Sequence, residues 1–351
     1  MKIHQNCGFS CHFIPEFILE SVARSSVSSE SVLNTIYSIK ESTLSHEKRI
    51  NRVNSVDEFA SLSPVGNAAR FVYDSQGKWL QKVKLVRKEG GPPTPDEAVN
   101  NSYDYSGKVR DYFKSQLNRN SIDNANMDLI LNVHYGVNYQ NAFWDGSMMN
   151  FGDGDNVIFI NFTKSLDVIA HELSHGVTQW EAALNYSGQS GALNEHFSDV
   201  FGSVITQYVE GQTAQTADWL IGDEIMGPNL YGEALRSMKE PGTAYNNPIM
   251  GKDPQPSHMK DYYTGSADNH GVHINSGIPN KAFYLSSMDI GTDKAALVWY
   301  TALQKLWATA NFNDAFTVIV DSARLLVKNG QIPKGSPQKI RAAFKEVGLP
   351  T

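Results

Sequence analysis

Over residues 127–162, β-branched and aromatic residues come in short runs broken by Asp145-Gly146 and by Gly152-Asp153-Gly154-Asp155, the pattern of a twisted antiparallel sheet. Beyond Leu166 the period changes. Residues 167–182, 190–210, 272–289, 293–309, 311–329 and 336–347 carry apolar side chains at helical spacing, so a β-rich part followed by an α-rich part is predicted. Ahead of the sheet, residues 71–79 read as a hairpin turning at 74–77. Thr94-Pro95-Asp96-Glu97 supplies a cap, an early proline and an acidic first turn for a helix ending near Leu117.

The first 64 residues differ from the rest. They are serine-rich, with one apolar segment, Phe13-Ile14-Pro15-Glu16-Phe17-Ile18-Leu19, and a helix predicted over 29–43 that gathers Val32, Ile36 and Ile39 on one face. Ser61-Leu62-Ser63-Pro64-Val65-Gly66 reads as a linker.

Composition narrows the class. With 41% hydrophobic, 11% aromatic and 19% charged residues in 351, the chain folds rather than remaining disordered. A formal charge of −7 disfavours a nucleic-acid partner. Cys7 and Cys11 are the only cysteines, too few for a disulfide framework. No apolar run is long enough to span a membrane, and His4, His12, Pro15 and Glu16 interrupt any signal peptide. The expectation is a protein secreted without a recognisable signal peptide, with a cytoplasmic location as the alternative, and a monomer.

The segment with the clearest chemistry is His171-Glu172-Leu173-Ser174-His175, inside a predicted helix. Residues four apart on a helix return to nearly the same direction, so both imidazoles can meet one cation, for which zinc is suited. Glu172 is then left to take a proton from metal-activated water. A chance match on an ordinary helix is expected on the order of 0.03 times in such a chain. A third ligand is available in Gly191-Ala192-Leu193-Asn194-Glu195-His196-Phe197-Ser198-Asp199: Glu195, with Asp199 one turn later able to accept the spare N–H of a ligand histidine.

These blocks, with Asn141-Ala142-Phe143-Trp144-Asp145-Gly146, Leu235-Arg236-Ser237-Met238 and Asp268-Asn269-His270-Gly271-Val272-His273, resemble the thermolysin family of neutral metallopeptidases, and more closely its protealysin-like subgroup with a short propeptide. The resemblance implies an α+β, thermolysin-like fold: a propeptide at 1–64, a β-rich lobe at 65–166, and the zinc helix with a helical lobe at 167–351. It implies one catalytic zinc on His171, His175 and Glu195, with Asn194 and Asp199 behind them. Glu172 would be the general base, and Tyr186 and His273 would stabilise the developing charge, His273 oriented by Asp268. Asn141, Ala142 and Arg236 would bind the substrate chain, beside an apolar pocket of Phe159, Phe162, Val168, Ile221, Ile225 and Leu235, for cleavage before bulky hydrophobic residues. Calcium would map onto Asp167, Thr206, Asp218, Leu220 and Asp223, where the carboxylates suffice for one ion at most.

The resemblance further implies a self-processing endopeptidase acting on peptides and proteins and inhibited by its own propeptide. Glu16 stands where the subgroup has a second proline. An apolar strand laid through the cleft would exclude substrate by occupancy; a thiolate of Cys7 or Cys11 on the zinc is a second version. A zinc aminopeptidase and a non-catalytic binding protein on the same fold are the competing readings.

Overall fold

The computed structural model describes residues 11–53 and 68–349, the side chains of 46–53 excepted. Strands β1 (Cys11–His12), β2 (Arg70–Asp74), β3 (Lys84–Lys88), β4 (Leu129–Val133), β5 (Ala142–Trp144) and β6 (Met149–Phe151) form one sheet in the order β1-β5-β6-β4-β2-β3. The sheet is mixed where an antiparallel one was predicted: β4 runs parallel to both β2 and β6. A parallel pair needs a long crossover, and helix α3 (Glu97–Leu117) supplies it between β2 and β4. The predicted hairpin also changes. The chain does turn after Asp74, whose carboxylate accepts from the Gln76 amide at 2.7 Å, but the returning strand begins only at Lys84. Trp79 leaves the sheet to pack edge-on against Tyr135 and Tyr139, at 5.7 and 5.4 Å between ring centres.

Helix α3 is capped by Asp96, which accepts from the amides of Ala98 and Val99 at 2.9 and 3.4 Å, so Pro95 precedes the cap instead of opening the helix. Its other carboxylate oxygen lies 2.9 Å from His134, whose second nitrogen lies 2.9 Å from Asp153. The bond to Asp153 and both negative charges, against partial burial, push His134 up to about 9. A raised pKa stabilises the fold fully below about 6.5 and loses that contribution as pH rises through about 9. The gap in melting temperature between the native chain and His134→Gln should therefore narrow from pH 6.5 to 9.5 in a calorimetric series; a gap independent of pH contradicts the charged bridge.

Helices α4 (Leu166–Glu181) and α5 (Gly188–Glu210) pack side by side through the centre, and nearly all of both is buried. Around them stand α6 (Ala267–Asn275), α7 (Gly277–Ile290), α8 (Thr292–Leu303), α9 (Phe312–Lys328) and α10 (Ser336–Glu346). The single helix predicted over 272–289 is thus two. Asp268, Asn269, His270 and Gly271 lie in left-handed backbone, at φ 56°, 48°, 64° and 81°, and only from Val272 does the ordinary helix run. Arg119, wholly buried, ties these elements together through Glu181 on α4, Tyr300 on α8 and the Ile122 carbonyl. Glu181 keeps 15% side-chain exposure and can be hydrated when its partner goes, so Arg119→Met, which removes charge-assisted bonds, should cost about 1.5–3 kcal/mol in urea unfolding.

The N-terminal arm lies on this body. Its β1 extends the sheet at β5, and Phe13, Ile14 and, from α1 (Glu16–Arg24), Ile18, Leu19 and Val22 join the main core cluster. Helix α2 (Ser29–Val53) corrects the amphipathic reading. Ser31, Thr35, Ser38, Glu41 and Ser45 are its buried face, while Ile36 is 49% exposed. Apolar periodicity failed here because the surface beneath α2 is hydrogen-bonding: Ser38 accepts from the Gln140 amide (2.9 Å), Thr35 meets the Gln140 side chain (3.2 Å), Ser42 lies 3.2 Å from the Tyr139 hydroxyl, and Tyr135 donates to Glu41 (2.9 Å). The linker at 61–66 and Cys7 lie outside the described residues.

Candidate active site

Helices α4 and α5 bring the predicted ligands together. His171 and His175, one turn apart on α4, place their Nε2 atoms 3.0 Å from each other, and Glu195 on α5 puts its two oxygens 3.5 and 3.4 Å from them. The opposite nitrogens are committed: His171 Nδ1 lies 2.9 Å from Asp199, and His175 Nδ1 lies 2.9 Å from Asn194 Oδ1 and 3.0 Å from Ser198. Both Nδ1 atoms therefore carry the proton, and both Nε2 lone pairs face each other in a site without solvent exposure. Glu195 Oε2 has no hydrogen-bond partner. Two lone pairs and a bare carboxylate oxygen repel unless a cation joins them. Donors about 2.0–2.1 Å from a tetrahedral zinc stand about 3.3 Å apart, which the 3.0–3.5 Å separations match. The residues fit zinc.

The local charges agree. Burial acts against a charged His175 and pulls it down to about 3, the neutral form a metal ligand needs. Burial opposes charge on His171 too, but Asp199 and Glu195 prevail and raise it to about 9. Glu195 stays well below the usual carboxylate range despite burial, because His273, His175 and His171 surround it.

Glu172 points from the same helix toward β5. Its Oε2 accepts from the Trp144 amide at 2.8 Å, while Oε1 is buried without a partner. Burial raises its pKa well above the usual value, in part countered by His171. Across the cleft, the left-handed turn delivers Asp268 to His273: one oxygen lies 2.6 Å from His273 Nδ1, and the other accepts from the amides of His273 and Ile274 at 2.8 and 3.0 Å. His273 Nε2 then faces the cleft, 3.2 Å from the Tyr186 hydroxyl. Burial keeps Tyr186 protonated, with its pKa well above 10.

The arm threads this cleft antiparallel to β5. The Phe13 amide donates to the Ala142 carbonyl at 3.0 Å, the Ile14 amide to Asn141 Oδ1 at 2.8 Å, and Asn141 Nδ2 back to the Ile14 carbonyl at 3.1 Å. Arg236 Nη1 reaches the Phe13 carbonyl at 3.5 Å, and His273 Nε2 is 3.2 Å from that of His12. The Phe13 ring stands edge-on to His171 at 5.1 Å and lies under the Arg236 guanidinium at 5.2 Å. Gly222 is needed here: a Cβ on it would come within 3.0 Å of Phe13 and 2.9 Å of Leu235. Phe159, Phe162, Val168, Ile221, Ile225 and Leu235 are buried in the same cluster as Phe13.

Two comparisons of sequence and one of structure decide the family. Residues 23–179 match the model for the thermolysin metallopeptidase catalytic domain, and 182–349 that for its alpha-helical domain. An extracellular metalloprotease of Pectobacterium carotovorum subsp. carotovorum is 45% identical over 298 residues, covering 84% of each chain. The chain belongs to the thermolysin family of metallopeptidases. It is a zinc metalloendopeptidase. Protease PrtS of Photorhabdus sp. (strain Az29) is 43% identical over 346 residues, covering 96% of this chain and 91% of that one. A solved structure, the precursor of protealysin, a metalloproteinase from Serratia proteamaculans, superposes with a TM-score of 0.83 at 39% identity, over 97% of this chain and 100% of that one.

Among the family's other predicted positions, Asp167 sits in the first turn of α4 with one oxygen bonded to Ser165 and the other accepting from the Gly222 amide at 2.7 Å. Burial and the nearby Asp223 and Glu224 raise it to about 7, against those two bonds. Asp218 accepts from the Leu220 amide at 3.0 Å. Cys11 packs against Tyr186 and Val272. Gly222 and Trp144 were not anticipated; a glycine between Ile221 and Asp223 was the one available hint of close approach.

Proposed function

We propose that this chain is a self-processing precursor of a secreted endopeptidase that cleaves before bulky hydrophobic residues. The proposal rests above all on the arm, whose His12-Phe13-Ile14 backbone meets Ala142, Asn141, Arg236 and His273 as a substrate chain would. Phe13, buried beside Leu235 and His171, marks the side chain that this pocket prefers. Chain continues on both sides of the His12–Phe13 bond, which favours cleavage inside a peptide over removal of its first residue. With Glu172 and His273 both in place, a merely binding role has no support.

His171, His175 and Glu195 would hold the zinc, which when bound supplies Lewis acidity toward water and the peptide carbonyl. Glu172, tied by one oxygen to the Trp144 amide, offers the other to a water proton and passes it to the leaving amine. Tyr186 and His273 donate to the carbonyl oxygen as it gains charge, and Asp268 keeps His273 aimed. Arg236 and Asn141 align the chain on either side of the primed residue.

Residues 1–64 act as propeptide, 65–166 as the β-rich lobe and 167–351 as the helical lobe. With its own cleft filled by His12, Phe13 and Ile14, the chain is cut near 61–70 by another molecule. Both oxygens of Asp167 are already engaged, so one calcium ion at most is expected. Export matches the extracellular naming of the Pectobacterium relative, and a monomer is the expected state. Incubating the purified chain with a peptide library, with and without chelator, and reading products by mass spectrometry tests the whole reading. Chelator-sensitive cuts before Phe, Leu or Ile support it; cuts confined to free N-termini overturn it.

A further inference from the structure

Behind His171 a line of buried side chains leads out of the cleft into the helical lobe. Asp199 accepts from His171 Nδ1 at 2.9 Å, from Arg236 Nε and Nη2, each at 2.9 Å, and from Asn280 Nδ2 at 2.8 Å. Asn280, on α7, places its Oδ1 2.7 Å from His196 Nδ1. His196, on α5, has its Nε2 2.7 Å from Trp299 Nε1 on α8. His171, Asp199, Asn280, His196 and Trp299 are all 0% exposed. Trp299 is itself wedged in the lobe, stacked on Phe344 at 5.9 Å and edge-on to Phe283 at 5.1 Å.

The sense of this line is determined by chemistry. An indole N–H can only donate, so His196 Nε2 accepts and its Nδ1 carries the proton. Asn280 Oδ1 must then accept, which turns its NH₂ toward Asp199. Flipping Asn280 would set its carbonyl against the Asp199 carboxylate and its NH₂ against the His196 N–H, two repulsive contacts in a dry interior. Asp199 is hydrogen-bonded to both His171 and Arg236, so its orientation sets both the ligand and the substrate clamp.

We propose that Asn280, held in one orientation by His196 and Trp299, is a positioning residue that fixes Asp199 and through it His171 and Arg236. The inference rests on His171 being a zinc ligand. His196→Leu fills a similar volume but leaves Asn280 free to turn. His196→Gln can again donate to Asn280 and accept from Trp299. Trp299→Phe keeps the stacked ring and removes only the final N–H.

The test is zinc affinity, measured by chelator competition on the metal-stripped chain, together with kcat and KM of the reloaded protein on a blocked peptide. His196→Leu leaves the His171–Asp199 bond in place but frees Asn280 behind it, so it should weaken zinc binding by up to about 10-fold, the lower end of the loss when a ligand's own supporting partner goes, and raise KM through Arg236. His196→Gln should restore both to within about threefold, and Trp299→Phe should shift both in the same direction as Leu but by less. A general loss of packing would not be rescued by glutamine. Wild-type zinc affinity in both His196→Leu and Trp299→Phe overturns the proposal, as does a Gln variant no better than Leu. If His196→Leu does not fold, Trp299→Phe decides alone. Unchanged zinc affinity in His171→Ala would instead refute the ligand assignment, a separate failure.

Discussion

Glu172→Gln is expected to retain zinc and the native melting temperature while losing about 10²–10⁴-fold in hydrolysis of casein, the usual worth of a positioned general base. Glutamine keeps the carbonyl oxygen that receives the Trp144 amide, so the side chain stays where it is. What it lacks is basicity at the other position, where Oε1 now stands buried and without a partner. His171 and His175 are untouched, since neither depends on Glu172 for its Nδ1 bond. The variant should also remain at full length when purified alone, because its own kind cannot cut it, and be shortened when a trace of wild type is added. Mass spectrometry and metal analysis of the same sample read both outcomes. A Glu172→Gln chain that processes itself at the native rate would remove Glu172 from the mechanism.

How much of this was legible beforehand depended on distance along the chain. His171, Glu172 and His175 share one turn of helix, and Glu195 and Asp199 share another, so local spacing carried the ligand set. Asp268 and His273 came from the family resemblance and not from spacing, and the left-handed turn that joins them was not foreseen: nothing in Asp268-Asn269-His270 demands positive φ. The mixed sheet was missed because β-propensity marks strands and says nothing of their direction. Helix α2 was misread because hydrophobic periodicity assumes an apolar partner, whereas Gln140, Tyr135 and Tyr139 offered polar ones. Asn280, His196 and Trp299 stand on three different helices and meet only in space, so no window along the chain contains the line they make.

Phe13→Lys should raise the initial activity of the unprocessed chain on a short blocked peptide by about a hundredfold, before any shortening is detected. The magnitude follows from what holds the arm. Its amide bonds to Ala142 and Asn141 are ones that any substrate would make in their place, so they give the arm no advantage. The Phe13 ring, 0% exposed, contributes up to about 3 kcal/mol of burial, a factor of about a hundred in occupancy. Lysine forfeits that burial and exchanges the ring beneath the Arg236 guanidinium for a second cation. The arm would stay tethered through α1 and α2, whose contacts with the body do not pass through Phe13, so the fold should survive with an open cleft. Isolated Phe13→Lys chain with activity as low as the parent's, at full length and with zinc bound, would mean that something other than this side chain closes the site.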